Sequence, residues 1–154
     1  KLNAKTNGNG KLTYQTSNKS VAAVDAKGKV TVKAPGKITI TVKAAATDTY
    51  KAATKKITIT VAPKKQRIAL NNKKAAQLTV KWNKNKKVSG YEFVYANNKS
   101  FKKAKTVRKA NVTSYTVKKL KSGKTYYVKA RAYKTVSGKR IYGAFSAVKK
   151  ATIK

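Results

Sequence analysis

The sequence predicts an all-β protein built as two small antiparallel β-sandwiches in tandem. Hydrophobic residues make up 40% of its 154 residues, which is enough to build folded cores. Valine, isoleucine and leucine alternate with lysine and threonine over many short segments, as they do in strands that bury one face. Glycine and proline punctuate these segments at intervals typical of sandwich turns.

The N-terminal part contains five predicted strands. They are rich in β-branched residues of period 2 and cover 11–14, 20–24, 29–32, 37–42 and 56–61. Glycine and proline place turns at 7–10, 25–28 and 34–36. The alanine-rich segment 44–54 also contains threonines, which favour an ordered connection over a helical turn. This part therefore forms a small sandwich of its own.

A second series of strands begins after Ala62 and Pro63. Proline cannot donate to a strand ladder, so we place the domain boundary here, with domains at 1–62 and 63–154. The new strands are predicted at 67–70, 77–82, 91–95, 106–109, 114–117, 125–134 and 140–147. Seven strands in about 90 residues again indicate a sandwich.

The charge is extreme and uneven. Thirty-nine lysines and arginines stand against three acids, a formal net charge of +36. Residues 63–154 carry +26 of this charge, and their only acid is Glu92. Arginine occurs four times, and the lysine excess favours a loosely patterned electrostatic surface over bidentate recognition. A surface of this kind attracts polyanions.

Residues 16–31 (TSNKSVAAVDAKGKVT), followed by 36–42 (GKITITV), resemble the bacterial Ig-like group 2 domain. The resemblance covers most of residues 1–61. Tyr14 stands where that family often has tryptophan, and the resemblance leads us to expect a truncated opening strand at Lys1.

The second part resembles a fibronectin type III domain. Trp82 closes the strand LTVKW, GYEFVY at 90–95 matches the next strand, and LKSGKTY at 120–126 matches the tyrosine corner. Ser122 replaces a proline that is frequent in the family. The resemblance implies a location at the cell surface or outside the cell, since such domain pairs are common in large surface and secreted proteins of Gram-positive bacteria.

Period-2 spacing predicts the core of the second sandwich. We interpret Trp82 and Tyr126 as packing residues, not as ligand platforms. The predicted core comprises Leu78, Val80, Trp82, Tyr91, Phe93, Tyr95, Val117, Leu120, Tyr126, Val128, Ala130 and Ala132.

The same period turns Tyr127, Lys129, Arg131 and Tyr133 toward the outer surface. This aromatic and cationic row can hold an anionic, stackable strand, or it can simply fill a solvated sheet face with good strand formers. Glu92, on the neighbouring strand, is expected to face Lys129 or Arg131 and to lie outside the core. For that reason we do not expect Glu92 to assist a lysine–asparagine isopeptide crosslink.

Lysine runs in the predicted loops complete the candidate polyanion site. Further basic runs lie at 118–121 and 149–150. The candidate residues are Lys84, Lys86, Lys87, Lys99, Lys102, Lys103, Lys105, Tyr127, Lys129, Arg131 and Tyr133.

The residue inventory argues against catalysis and cofactor binding. The chain has no histidine and no cysteine, and its three carboxylates are scattered. Paired acid–base catalysis, thiolate chemistry and a hard metal site therefore lack their groups, and we expect no enzyme activity, cofactor or metal. No apolar run approaches the length of a membrane span, so we expect no membrane insertion in this part of the protein.

Two classes of function remain. The first is a lysine-rich module of a bacterial surface or secreted protein that binds wall teichoic acid, acidic host glycan or extracellular nucleic acid electrostatically. The alternative is a spacer that presents another domain, or an adhesin that docks to a host surface protein.

Overall fold

A computed structural model describes residues 1–110 and 112–154. The chain divides into two compact units, Lys1–Val61 and Ala62–Lys154. Both consist of antiparallel sheets, so the predicted all-β tandem sandwich fold is confirmed. In the described part of the chain, no helix is long and apolar enough to cross a membrane.

The first unit packs a three-stranded sheet against a two-stranded one. Its strands are β1 (Leu12–Thr16), β2 (Ala22–Val24), β3 (Val30–Val32), β4 (Gly36–Ala44) and β5 (Ala53–Val61). The larger sheet has the order β1-β4-β5, and β2 pairs with β3.

The long central strand β4 supplies most of the first core. Ile38, Ile40 and Val42 point inward while the threonines between them point outward, as the period of 2 predicts. Ala22, the first residue of β2, and Val21, directly before it, close the other side of this core. The predicted connection at 44–54 is shorter than expected, because β4 and β5 extend into both of its ends and leave only 45–52 outside the strands.

Eight strands lie in the described residues of the second unit. They are β6 (Ile68–Asn71), β7 (Leu78–Trp82), β8 (Gly90–Ala96), β9 (Lys105–Lys109), β10 (Ser114–Val117), β11 (Thr125–Val136), β12 (Lys139–Tyr142) and β13 (Lys149–Thr152). One sheet has the order β10-β7-β6, and the other has the order β12-β11-β8-β9 with β13 also paired to β11.

The predicted last strand at 140–147 is confirmed only at 140–142, and its continuation to 147 is wrong. Residues 139–142 form a hairpin with the end of β11, and β13 then pairs with the beginning of β11. Between them the chain leaves the ladder, where Ser146 replaces regular pairing: its amide donates to the Ala130 carbonyl, and its hydroxyl accepts from the Ala130 amide. Two short strands thus replace one long one.

The second core contains the predicted residues, with two additions. Tyr95 and Tyr126 are only partly buried and pack against the edge of the core. Trp82 is buried, and its indole N–H donates to the Val112 carbonyl at 2.9 Å, which confirms its packing role. The additions are Ile68 and Ile153, from β6 and from just beyond β13.

Truncating Phe93 should destabilise the second unit strongly. Phe93 is fully buried between the rings of Trp82 and Tyr115. Phe93→Ala should therefore lower the free energy of unfolding by about 3–5 kcal/mol. Urea denaturation followed by the fluorescence of Trp82, the single tryptophan, reports on this unit directly. Val148→Ala, at a side chain that is 48% exposed, is the control and should change it by less than about 0.5 kcal/mol. Equal losses in the two variants would contradict this packing.

Acidification should weaken the turn between β2 and β3. The Asp25 carboxylate accepts hydrogen bonds from the amides of Lys29 (2.8 Å) and Lys27 (2.9 Å). The Lys29 amide is the main cause that lowers the pKa of Asp25 below its ordinary 3.8. Because the folded pKa lies below the unfolded one, the contribution to stability is complete above the unfolded pKa and disappears as pH falls through the folded pKa.

An NMR titration of the Asp25 carboxyl should therefore have its midpoint below pH 3.8. The variant Asp25→Asn should remove this part of the pH dependence of unfolding. A midpoint at or above 3.8 would show that the two amides do not stabilise the carboxylate.

Candidate functional site

The pairing of β8 with β11 organises the candidate residues. Ala96 pairs with Tyr127 and Gly90 pairs with Tyr133. The connection that follows β8 and the connection that precedes β11 therefore lie at the same end of the sheet. The seven residues of β8 separate this end from the other by roughly 20 Å.

A basic cleft lies at the Ala96 end, between the β8–β9 and β10–β11 connections. It encloses about 440 Å³. We call it the lysine cleft, and its lining residues are Tyr95, Ala96, Asn97, Lys103, Lys105, Lys118, Lys119, Leu120, Lys121 and Tyr126. All five lysines are exposed, and none of the ten lining residues is acidic.

Two of these lysines adopt the left-handed backbone region. Lys103 has a φ of 52° and Lys119 a φ of 57°. This region costs a non-glycine residue about 1–2 kcal/mol, and glycine or asparagine would occupy it more easily. Unfavourable backbone geometry often marks a functional surface. Here it occurs at two cationic residues that face the same cleft.

The floor of the lysine cleft is aromatic and polar. The Tyr126 hydroxyl accepts a hydrogen bond from the Lys121 amide at 3.4 Å, the contact of a tyrosine corner. Burial, followed by the neighbouring Tyr115 and Tyr126, raises the pKa of Tyr95 above its ordinary value of 10.0. The Tyr95 hydroxyl therefore keeps its proton at neutral pH and can donate to a bound oxygen. Tyr126 thus has a role at the cleft in addition to its predicted packing role.

The sequence pattern predicts only part of this cleft. It gives Lys103 and Lys105 as candidates and shows 118–121 as a basic run, but it does not join the two groups. The missing signal was the pairing of β8 with β11, which puts the two loops at one end. Lys99 and Lys102 lie in the β8–β9 connection outside the cleft lining, and Lys84, Lys86 and Lys87 lie before Gly90, at the opposite end of β8.

The predicted outer row on β11 is engaged in contacts within the protein. Lys129 Nζ lies 4.3 Å from the centre of the Phe101 ring and 4.7 Å from that of Phe145. The Arg131 guanidinium lies 3.8 Å from the Tyr142 ring centre and 4.3 Å from that of Phe145. We call this set the outer-face ladder: Phe101, Lys129, Phe145, Arg131 and Tyr142.

Glu92 anchors the outer-face ladder. As expected, it faces Arg131, whose Nη2 lies 2.7 Å from Glu92 Oε1; Arg108 Nε donates to Oε2 at 2.7 Å. The pKa of Arg108 is raised above its ordinary value by a hydrogen bond with the Tyr142 side chain and then by Glu92. Glu92 therefore joins two guanidinium groups on the sheet.

Glu92 lies on the outer side and outside the core, as expected, but it is only 2% exposed, because its arginine partners and their aromatic neighbours cover it. The expectation that Tyr133 belongs to an open outer surface is wrong. Tyr133 is buried, and its hydroxyl lies so close to Gly90 that a β-carbon there would approach it to 2.6 Å. Tyr127 is half-buried. The face is therefore a covered structural surface and not an open row of ligand groups.

Family comparisons agree with the two-domain architecture. The family model described as fibronectin type III domain matches residues 61–143, and that described as intimin, immunoglobulin-like domain matches residues 1–47. The chain belongs to the fibronectin type III family, and the predicted order of an Ig-like domain followed by a fibronectin type III domain is confirmed. Both domain types are typically non-catalytic and are typical of extracellular or surface proteins.

Curated relatives match part of the chain. A Kelch domain-containing protein of Saccharolobus solfataricus is 39% identical over 80 residues, which cover 52% of this chain and 11% of that protein. A Kelch domain-containing protein of Sulfurisphaera tokodaii is 37% identical over 84 residues, 54% of this chain and 11% of that protein. The chain thus spans about a ninth of the length of these relatives.

Solved structures support the fold. A two-domain fibronectin type III segment of chicken tenascin aligns with a TM-score of 0.64 and 16% identity, covering 92% of this chain and 82% of that one. The FN1–FN3 domains of chicken CNTN1 align with a TM-score of 0.51 and 21% identity, covering 82% and 45% of the two chains. At these identities the likeness concerns the fold alone.

Removing the charge of Glu92 should destabilise the second unit. The variant Glu92→Gln leaves two guanidinium groups without their carboxylate and should cost roughly 1.5–3 kcal/mol, the range for hydrogen bonds to charged groups. The cost stays in this range because Arg108 and Arg131 are 47% and 26% exposed. Arg131→Gln should cost more than Arg108→Gln, since Arg131 also stacks on two rings. Urea denaturation measures all three, and an unchanged midpoint in Glu92→Gln would refute this anchoring role.

Proposed function

We propose that this chain is a non-catalytic module of a surface or secreted protein and that its fibronectin type III unit binds a polyanion in the lysine cleft. The observation that carries the proposal is the convergence of five exposed lysines, from two loops and the first residue of β9, on one cleft whose lining has no carboxylate. Glu92, the only acid of residues 63–154, is already paired with two arginines and does not offset this charge.

The size and chemistry of the lysine cleft favour a single anionic chain over a duplex. Its volume of about 440 Å³ suits a short stretch of one flexible chain. Lysines attract phosphate or sulfate groups, while Tyr95, Asn97 and Tyr126 offer polar atoms and ring faces to the units between the charges. Wall teichoic acid, an acidic glycan and single-stranded nucleic acid all have this character.

The second candidate function is a spacer. The matched segment covers only 11% of each curated relative, as a small module within a large protein would. A spacer presents another domain and has no ligand of its own. Docking to a host surface protein is a third candidate function and, like the spacer, it requires no binding of a polyanion.

Lysine-cleft variants should lose polyanion affinity. The triple variant Lys103→Gln, Lys105→Gln, Lys119→Gln should bind a heparin oligosaccharide at least tenfold more weakly. The slope of log Kd against log salt should fall by roughly 2–3, about 0.7–0.9 for each lost ammonium–anion contact. Isothermal titration calorimetry between 50 and 200 mM salt measures both quantities, with glycerol-phosphate polymer, single-stranded DNA and duplex DNA tested alongside.

The matched control is the triple variant Lys73→Gln, Lys74→Gln, Lys139→Gln, which removes the same charge from exposed positions outside the cleft lining. It should retain most of the affinity. Equal losses of affinity in both triple variants would show that polyanion binding depends on the net charge of the chain and not on the lysine cleft. A wild-type chain with no saturable binding to any of the four polymers at 150 mM salt would favour the spacer.

A further inference from the structure

We infer that the outer-face ladder positions the lysine cleft, and that Lys129 serves polyanion binding as a positioning residue without touching the ligand. The inference rests on the proposed function for its binding readout. Lys129 lies on β11, half-buried, and pairs with Val94 in the middle of the sheet. Phe101 and Phe145 both lie against its ammonium group.

Phe101 connects the ladder to the cleft. It belongs to the loop between β8 and β9, two residues before Lys103, which lines the cleft. Phe101 and Lys103 both have a positive φ, 56° and 52°, which disfavours this loop conformation unless other contacts hold it. The contact between Phe101 and Lys129 is one such stabilising contact, and it comes from outside the loop.

Asn98 stabilises the same loop from within, through hydrogen bonds of its side chain. Its side-chain oxygen accepts from the Ser100 hydroxyl and from the Lys102 amide, both at 2.9 Å, and its side-chain nitrogen donates to the Lys102 carbonyl at 3.0 Å. These bonds fix the loop as a compact unit. These hydrogen bonds join residues of the loop to one another, whereas the contact of Phe101 with Lys129 joins the loop to the sheet.

The other end of the ladder is fixed by Glu92. Its ion pair holds Arg131, whose guanidinium lies against the Phe145 ring, and the same ring lies against Lys129. A continuous series of contacts therefore runs from a buried carboxylate to the loop that carries the cleft residue Lys103. Since the ammonium of Lys129 is already held by two aromatic rings, it is poorly placed to bind a ligand.

Salt dependence separates a positioning lysine from a contacting one. Lys129→Gln and Lys103→Gln each remove one charge from the same unit. In the full chain, with a heparin oligosaccharide as the probe, Lys103→Gln should lower the slope of log Kd against log salt by about 0.7–0.9. Lys129→Gln should weaken binding roughly threefold to tenfold, as loss of one cation–aromatic contact would, and leave the slope unchanged. Lys129→Arg, which keeps the cation, should restore the affinity.

Hydrogen exchange supplies a readout that needs no ligand. Amides of residues 97–104 should exchange faster in Lys129→Gln and keep the wild-type rate in Lys103→Gln. Failure of the wild-type chain to bind would overturn the proposed function, while the exchange arm would still test the hold on the loop. A slope that falls equally in both variants, or wild-type exchange together with wild-type affinity in Lys129→Gln, would overturn this inference.

Discussion

The antiparallel register between β8 and β11 determines where every functional feature of the second unit lies. Seven consecutive pairs, from Tyr127 with Ala96 to Tyr133 with Gly90, assign alternate residues to opposite faces. The inward set, which includes Phe93 and Ala130, forms the core. The outward set places Glu92 beside Arg131. The same register brings two lysine-bearing loops together at one end, so a one-residue slip would exchange the faces and break the ion pair.

This arrangement also explains how a unit with a net charge of +26 holds together. The single acid, Glu92, is paired with the guanidinium groups of Arg108 and Arg131. Most lysines are exposed on loops and strand edges, where water and salt screen their repulsion. In the lysine cleft, five ammonium groups share one concave surface, and a bound anion would relieve their mutual repulsion. The positive charge is therefore concentrated at the lysine cleft and partly neutralised around Glu92.

Sequence patterning predicted the fold well because alternation alone assigns strands and faces. It missed Ile153 because the strand before it follows an irregular segment that only the Ser146 contacts explain. It placed Glu92 on the correct face but not in a buried position, since period 2 does not tell what covers an outer face. Lys118, Lys119 and Lys121 were not assigned to the cleft, because proximity between loops depends on strand pairing and not on spacing within one segment.

We propose that the cationic surface binds its ligand in one cleft and is not uniformly adhesive. The most direct measurement is a two-dimensional NMR titration of the full chain with a heparin oligosaccharide at 150 mM salt, following backbone amides. Saturable shifts should be concentrated at residues 95–105 and 118–126, while the amides of residues 84–87 and of the first unit should shift very little. Shifts spread over all exposed lysines, or centred at the Gly90 end of β8, would contradict it.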